Sequence, residues 1–352
     1  MGLSDGHVIG TNLVVDHGSP SKRFNLVIVS EGFQTTELGS FATLTQQFID
    51  YFFSVKPFDS LKCAFNIYRI DVASNESGAD DPSFCGGDGS SKATMFDSSF
   101  CNGGIRRLLC VNQLAVVDVV EGSVPAWHQI LVIVNSSIYG GSGGAVAVTS
   151  VGGSWKQVAV HEMGHSVFGL ADEYPYWSGC SIDTSRNLYS GPEPINPNIT
   201  INIDRNTLKW KDLILASTPL PTTANPDCSH CDTQPDPMPA GTVGAYEGAW
   251  YFHCGIYRPE YQCMMKNLTG FCSICQKRIK ETLSVYLDKC YAPVFKPVPG
   301  IVAIFLIVLI ALVIVLLSLI SPFSDKIKCL IKRLFFISKY CTRGNSDCCK
   351  SI

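Results

Sequence analysis

A five-residue motif, His161-Glu162-Met163-Gly164-His165, sets the strongest condition on how this chain can fold. The two histidines stand at i and i+4, and they share a face only if the backbone there is α-helical. Two imidazoles on one face can hold one metal ion, and Glu162 lies at the edge of that face. The fold must therefore run this helix along a cleft. The flanking sequence agrees with a helix over 154–168: no proline interrupts it, and Trp155, Val158, Ala159, Val167 and Phe168 make it largely apolar. Ser154 is a suitable N-cap, and Gly169 a suitable left-handed stop. The bare motif also occurs on exposed faces of ordinary amphipathic helices, so its surroundings decide its meaning.

Metal-assisted amide hydrolysis needs a third protein ligand and an open fourth position. Metzincin peptidases place a glycine three residues after the second histidine and a His or Asp three residues after that. Here Gly169 comes one residue late, yet Gly169-x-x-Asp172 keeps the final step. Asp172 is the expected third ligand, Glu173 the runner-up, and Glu247 a more distant candidate of the glutamate type. Cys263-Met264-Met265 follows Tyr257-Arg258-Pro259 in a turn-like stretch. Met265, or failing it Met264, is the expected methionine beneath the metal. The expected chemistry is zinc-assisted hydrolysis of peptide bonds, with Glu162 as the general base that takes a proton from water and passes it to the leaving amine. Tyr174 and Tyr257 are candidates for assistance but are more readily assigned to packing.

The chain resembles the IgA-peptidase-like zinc metallopeptidases, a metzincin-related group. The likeness begins with Phe24-Asn25-Leu26-Val27-Ile28-Val29-Ser30-Glu31-Gly32-Phe33, then Lys56-Pro57-Phe58, Phe65-Asn66-Ile67-Tyr68 and Ser74-Asn75-Glu76-Ser77-Gly78. It continues through Val134-Asn135-Ser136, Tyr139-Gly140-Gly141-Ser142-Gly143-Gly144 and the run from His161 to Tyr174. Pro197-Asn198-Ile199-Thr200, Lys209-Trp210, Tyr246-Glu247-Gly248, Tyr257-Arg258-Pro259, Cys263-Met264-Met265 and Phe271-Cys272-x-x-Cys275 complete it. The resemblance spans residues 20–290 and implies an exported endopeptidase with a catalytic zinc, held by His161 and His165 beside Glu162. It does not imply immunoglobulin as a substrate.

Apolar, β-branched runs at 25–30, 65–72, 130–135 and 145–151 predict strands, and 44–53 and 105–120 predict helices. Strands alternating with helices before the motif helix indicate an α/β domain with a mixed sheet, of metzincin-like type. The glycine-rich run 140–144 lacks the Lys and Ser/Thr of a phosphate loop and reads as a tight turn beside the cleft. Residues 175–260 read as irregular, with a short helix near 206–215, and 274–287 as a closing helix. The resulting organisation is an N-terminal extension (1–20), a catalytic domain (21–290) and a linker (291–300). A transmembrane helix (301–321) and a basic cytosolic tail (322–352) complete the chain.

The membrane expectation rests on residues 301–320, in which only Ser318 is polar, a length suited to spanning a bilayer. Lys326, Lys328, Lys332, Arg333 and later basic residues place the tail in the cytosol and the large domain outside or in a lumen. The first residues contain no apolar signal region, so an export signal that is missing or unrecognised is expected. Twelve cysteines precede the span, which suits disulfides in an exported domain. Cys228-x-x-Cys231 and Cys272-x-x-Cys275, with His230 nearby, are an alternative structural zinc site, against which the expected compartment weighs. Sequons at Asn75, Asn135, Asn198 and Asn267 fit a glycoprotein. A net charge of −3 and no basic stripe before the C-terminus argue against nucleic acid as a partner and leave protein or peptide substrates. A catalytically inactive, cysteine-rich surface binding protein or adhesin is the competing function. The complete His161–Glu162–His165 set counts against it.

Overall fold

Two runs, Phe24–Glu31 and Gln129–Val134, are excluded from solvent along their whole length and form the centre of the sheet. Strands buried on both faces read as continuous apolar runs, and here that reading holds. The computed structural model describes residues 3–287 and the single residue Val313. The chain divides into two units, 1–290 and 291–352, and all the elements named below belong to the first.

In chain order the elements are β1 (Gly6–Val15), β2 (Phe24–Glu31), α1 (Leu38–Phe52), β3 (Phe65–Ser74), α2 (Gln113–Ser123), β4 (Gln129–Val134), β5 (Gly141–Ser142), β6 (Val146–Ser150) and α3 (Trp155–Phe168). Then come β7 (Tyr246–Ala249), β8 (Phe252–Arg258), α4 (Met264–Asn267) and α5 (Ser273–Leu283). The sheet order is β1-β3-β2-β4-β6-β5. The four inner strands are parallel, while β1 and β5 run antiparallel at the two edges, so the sheet is mixed as expected. Alternation along β2 divides the core. Leu26 and Ile28 pack with Phe41 and Phe48 of α1 and Ala159, Val160 and Met163 of α3. Val27 and Val29 pack with Ala115, Val116 and Val120 of α2 on the opposite face. Phe58 lies 5.9 Å from Phe168 and 6.1 Å from Phe271, tying the end of α3 to the segment before α5.

Several expectations need correction. Within the expected extension, Gly6–Val15 pairs with β3 as an edge strand, from Gly6 opposite Ser74 to Val15 opposite Ile67. The helix predicted from 105 starts at Gln113, where the Asn112 side chain accepts a hydrogen bond from Ala115 N at 3.2 Å. Before it, Cys110 exchanges backbone hydrogen bonds with Ser99, and Leu109 N donates to Gly141 O, so this stretch is held by neighbouring loops instead. Ser154 does not cap α3 with its side chain and is itself left-handed, with φ 60°.

The expectation of a single-pass membrane protein with an external or lumenal catalytic domain is also corrected. Among the described residues, no helix is long and apolar enough to cross a membrane. Residues 301–321, on which that expectation and the bilayer contact rested, lie outside the described residues apart from Val313.

The cysteines divide in an unexpected way. Disulfides join Cys85–Cys101, Cys180–Cys231 and Cys228–Cys254, and Cys63 is disulfide-bonded too. Cys110, Cys263, Cys272 and Cys275 are free thiols. The zinc site imagined from Cys228, Cys231, Cys272 and Cys275 is thereby excluded, because the first two are already paired elsewhere.

Candidate active site

Helix α3 carries both histidines toward a cleft of about 810 Å³. It ends at Gly169, which adopts φ 64° and donates its N–H to the His165 carbonyl at 3.2 Å. A glycine takes this left-handed cap without a Cβ penalty. The chain then doubles back, and Leu170 O accepts a hydrogen bond from His165 Nδ1 at 2.8 Å. His161 Nδ1 donates to Met264 O at 3.0 Å. With both Nδ1 atoms committed to carbonyls, both Nε2 atoms face the cleft.

Asp172 arrives at the same point. Its Oδ1 lies 3.0 Å from His161 Nε2 and 3.2 Å from His165 Nε2, and the two Nε2 atoms are 3.2 Å apart. The two Nε2 atoms are within hydrogen-bond reach of each other, whereas Asp172 Oδ1 is buried and makes no hydrogen bond. Three acceptors crowded around one point call for a cation between them. Ligands about 2.0–2.1 Å from a tetrahedral zinc would stand about 3.3 Å apart, close to the spacing here. The residues therefore fit the metal that the motif implies.

The rest of the Asp172 carboxylate is held by a hairpin. Oδ2 accepts a hydrogen bond from the Tyr251 hydroxyl. Trp250 and Tyr251 form the two-residue turn between β7 and β8, both left-handed at φ 48° and 70°. Such turns favour Asn-Gly, and bulky residues there are strained by about 1–3 kcal/mol. The strain is held by Trp250 N donating to Asp172 O at 3.1 Å and Tyr251 N to Tyr174 O at 3.0 Å. Tyr251→Phe is expected to lower metal affinity or kcat by about 10–100-fold, the usual cost of losing a partner that orients a ligand. Chelator competition and steady-state rates check this, and unchanged values for both would remove Tyr251 from the site.

Glu162 is partly buried on the cleft wall, beside Gly141 and Gly143. A Cβ on Gly143 would fall 3.0 Å from His165 Cβ and 3.1 Å from Glu162 Oε2. The glycine-rich run thus lines the site closely, as its sequence suggested.

A family model described as IgA Peptidase M64 matches residues 13–236 and 230–283. The chain belongs to the IgA Peptidase M64 family. Comparison with curated proteins returned no match. Membership makes this M64 chain a peptidase, and its substrates are proteins or peptides.

Electrostatics in this M64 site is dominated by the buried carboxylate. Burial works against charge on both histidines, but Asp172 outweighs it: His161 is raised, and His165 is pushed up to about 9. Burial likewise opposes charge on Asp172, yet the two histidines hold it well below the usual carboxylate range. Burial raises Glu162.

The other candidates fall elsewhere. Glu173, the runner-up ligand, points away from the histidines: its N–H donates to Met265 O at 2.7 Å, and its Oε1 accepts from Asn198 Nδ2 at 2.9 Å. Glu247 accepts from Asn225 N and Gly255 N within the β7–β8 region, and Tyr257 donates to it at 3.4 Å. Neither lines the cleft. Tyr174 does, with its ring 6.4 Å from that of His161. Met265 is fully buried beneath α3, where a Cβ on Gly164 would fall 2.6 Å from its Sδ, while Met264 supplies the carbonyl that holds His161. Asn198, read as a sequon, is 0 % exposed; both of its side-chain polar atoms bond the 171–173 segment, so it is closed to glycosylation in the fold. Trp250 and Tyr251 carry no signal in the sequence, since no periodicity or motif marks a hairpin tip 79 residues from the carboxylate it holds.

Proposed function

We propose that this M64 peptidase is a zinc-dependent endopeptidase, with His161, His165 and Asp172 as metal ligands and Glu162 as general base. The observation that carries the reading is the convergence of two Nε2 atoms and an unpartnered Oδ1 on one point beside Glu162. Two imidazoles and one carboxylate with an open side suit zinc in a catalytic setting. When bound, the ion supplies Lewis acidity that activates water and polarises the scissile carbonyl.

The chain's own residues do the rest. Met264 O and Leu170 O fix the tautomers and ring planes of the two histidines. Tyr251 holds Asp172 so that Oδ1 faces inward. Glu162 takes the proton of the attacking water and returns it to the leaving amine. The left-handed Gly169 and the methionine beneath α3 support a metzincin-like reading of the fold.

The test uses the full-length protein and a peptide library blocked at both ends. Cleavage should disappear on removal of metal by a chelator and return with about one equivalent of added Zn²⁺ at this site. Undiminished cleavage by metal-free protein would overturn the reading, and cleavage restricted to unblocked peptides would overturn its endopeptidase part.

A further inference from the structure

A second set of donors lies within the core, apart from the cleft. Glu173 from the segment after α3, Cys263 just before α4, and Cys272 and Cys275 at the start of α5 bring one ligand atom each within 4.8 Å of one another. None is more than 2 % exposed. The Cys263 and Cys275 sulfurs are 3.8 Å apart, and Glu173 Oε1 lies 3.5 Å from the Cys275 sulfur and 3.9 Å from that of Cys272. A tetrahedral zinc with Zn–S near 2.3 Å and Zn–O near 2.0 Å separates its ligand atoms by about 3.8 Å for S···S and about 3.5 Å for S···O. The Cys263–Cys275 and Glu173–Cys275 pairs already have those spacings, and the remaining ligand atoms lie within 4.8 Å.

Its polar surroundings point the same way. Cys272 N donates to the Cys263 sulfur at 3.4 Å, and Cys275 N to the Cys272 sulfur at 3.5 Å, so backbone N–H groups are directed at sulfur. Glu173 Oε2 is buried without a hydrogen-bond partner. A carboxylate oxygen left in that state is costly unless a cation or proton meets it. Seven other described cysteines are disulfide-bonded, yet these three are free, with the Cys263 and Cys275 sulfurs well beyond the bonding distance of about 2.05 Å.

We propose that Cys263, Cys272, Cys275 and Glu173 form a closed structural zinc site. Thiolates select a soft ion, and four protein ligands leave no open position for chemistry. Its placement gives it a purpose. Asp172 and Glu173 are chain neighbours whose carboxylates belong to different clusters, so one short segment would be fixed between two ions. Met264, whose carbonyl orients His161, follows Cys263 directly. The second ion would lock the two backbone segments that position His161 and Asp172.

Cobalt substitution of the full-length protein separates the two sites, because only a sulfur site gives thiolate-to-cobalt charge-transfer absorption. That band should appear in the wild type, persist in a His161→Ala/His165→Ala variant, and vanish in Cys272→Ser/Cys275→Ser. Absence of the band in the wild type overturns the proposal, as does its survival in the serine variant. Loss of the band with the histidine variant would place sulfur in the other site and equally overturn it. Should the serine variant fail to fold, Glu173→Gln decides: metal affinity of the sulfur site should fall at least about tenfold, and an unchanged value counts against the proposal. A non-reducing peptide map showing any disulfide among the three cysteines would also overturn it. Failure of the catalytic assignment leaves this band intact, so the two proposals fail separately.

Discussion

Glu162→Gln is expected to lower peptide hydrolysis by about 10²–10⁴-fold while metal content stays unchanged, the range expected for loss of a general base. Its carboxylate is not among the three converging ligand atoms, so its loss removes proton transfer and leaves coordination alone. Glutamine has nearly the same shape, which matters where Gly141 and Gly143 press against the side chain. Burial raises Glu162 from its ordinary value, moving it toward the neutral range in which a base both accepts and returns a proton efficiently. Initial rates on a blocked peptide and metal content by mass spectrometry decide the matter. A variant keeping more than about a tenth of wild-type activity would contradict the base assignment, given the usual contribution of such groups. One that lost its metal would show Glu162 to be structural.

Legibility in the sequence depends on where each signal is written. Strands β2 and β4 are buried on both faces, and a continuous apolar run records that locally. Helix α3 is recorded by the i, i+4 histidines and the glycine that ends it, and Asp172 by its distance from that glycine. The start of α2 was not legible, because residues 105–110 are apolar enough for a helix but are held by hydrogen bonds to Ser99 and Gly141, distant in the chain. The choice of Asp172 over Glu173 rests on the spacing from Gly169 alone. An extended backbone sends adjacent side chains to opposite sides, and only the partners on each side tell which is which. The cysteines carry the same lesson: Cys228-x-x-Cys231 and Cys272-x-x-Cys275 have one spacing, yet the first pair is oxidised to outside partners and the second gathers Cys263 and Glu173. Tyr251 depends on a strained hairpin tip that no composition announces.

Metal affinity at the His161–His165–Asp172 site is expected to rise about tenfold per pH unit toward pH 9, and to fall more than about 100-fold in Asp172→Ala, beyond the cost of losing a supporting partner. In the metal-free protein His165 is pushed up to about 9, so a proton holds the position that the ion must take. A raised imidazole stabilises the metal-free fold below its unfolded value of about 6.5 and loses that contribution as pH climbs through the folded value. Asp172, held low, contributes above its unfolded value of about 3.9 and loses that contribution only as strong acid protonates it. The metal-free fold should therefore be firmest between about pH 4 and 6.5 and weaken toward 9, while the metal-bound fold gains over the same interval. Asp172→Ala separates ligand from bystander, because it removes both a ligand and the charge that raises His165. Affinity should drop, and its pH dependence should flatten at neutral pH as His165 falls back. Glu173→Gln should leave this slope in place. Competition with a chelator at about pH 6, 7 and 8 measures both quantities. A slope unaltered by Asp172→Ala would mean that Asp172 neither holds the ion nor governs the proton that competes with it.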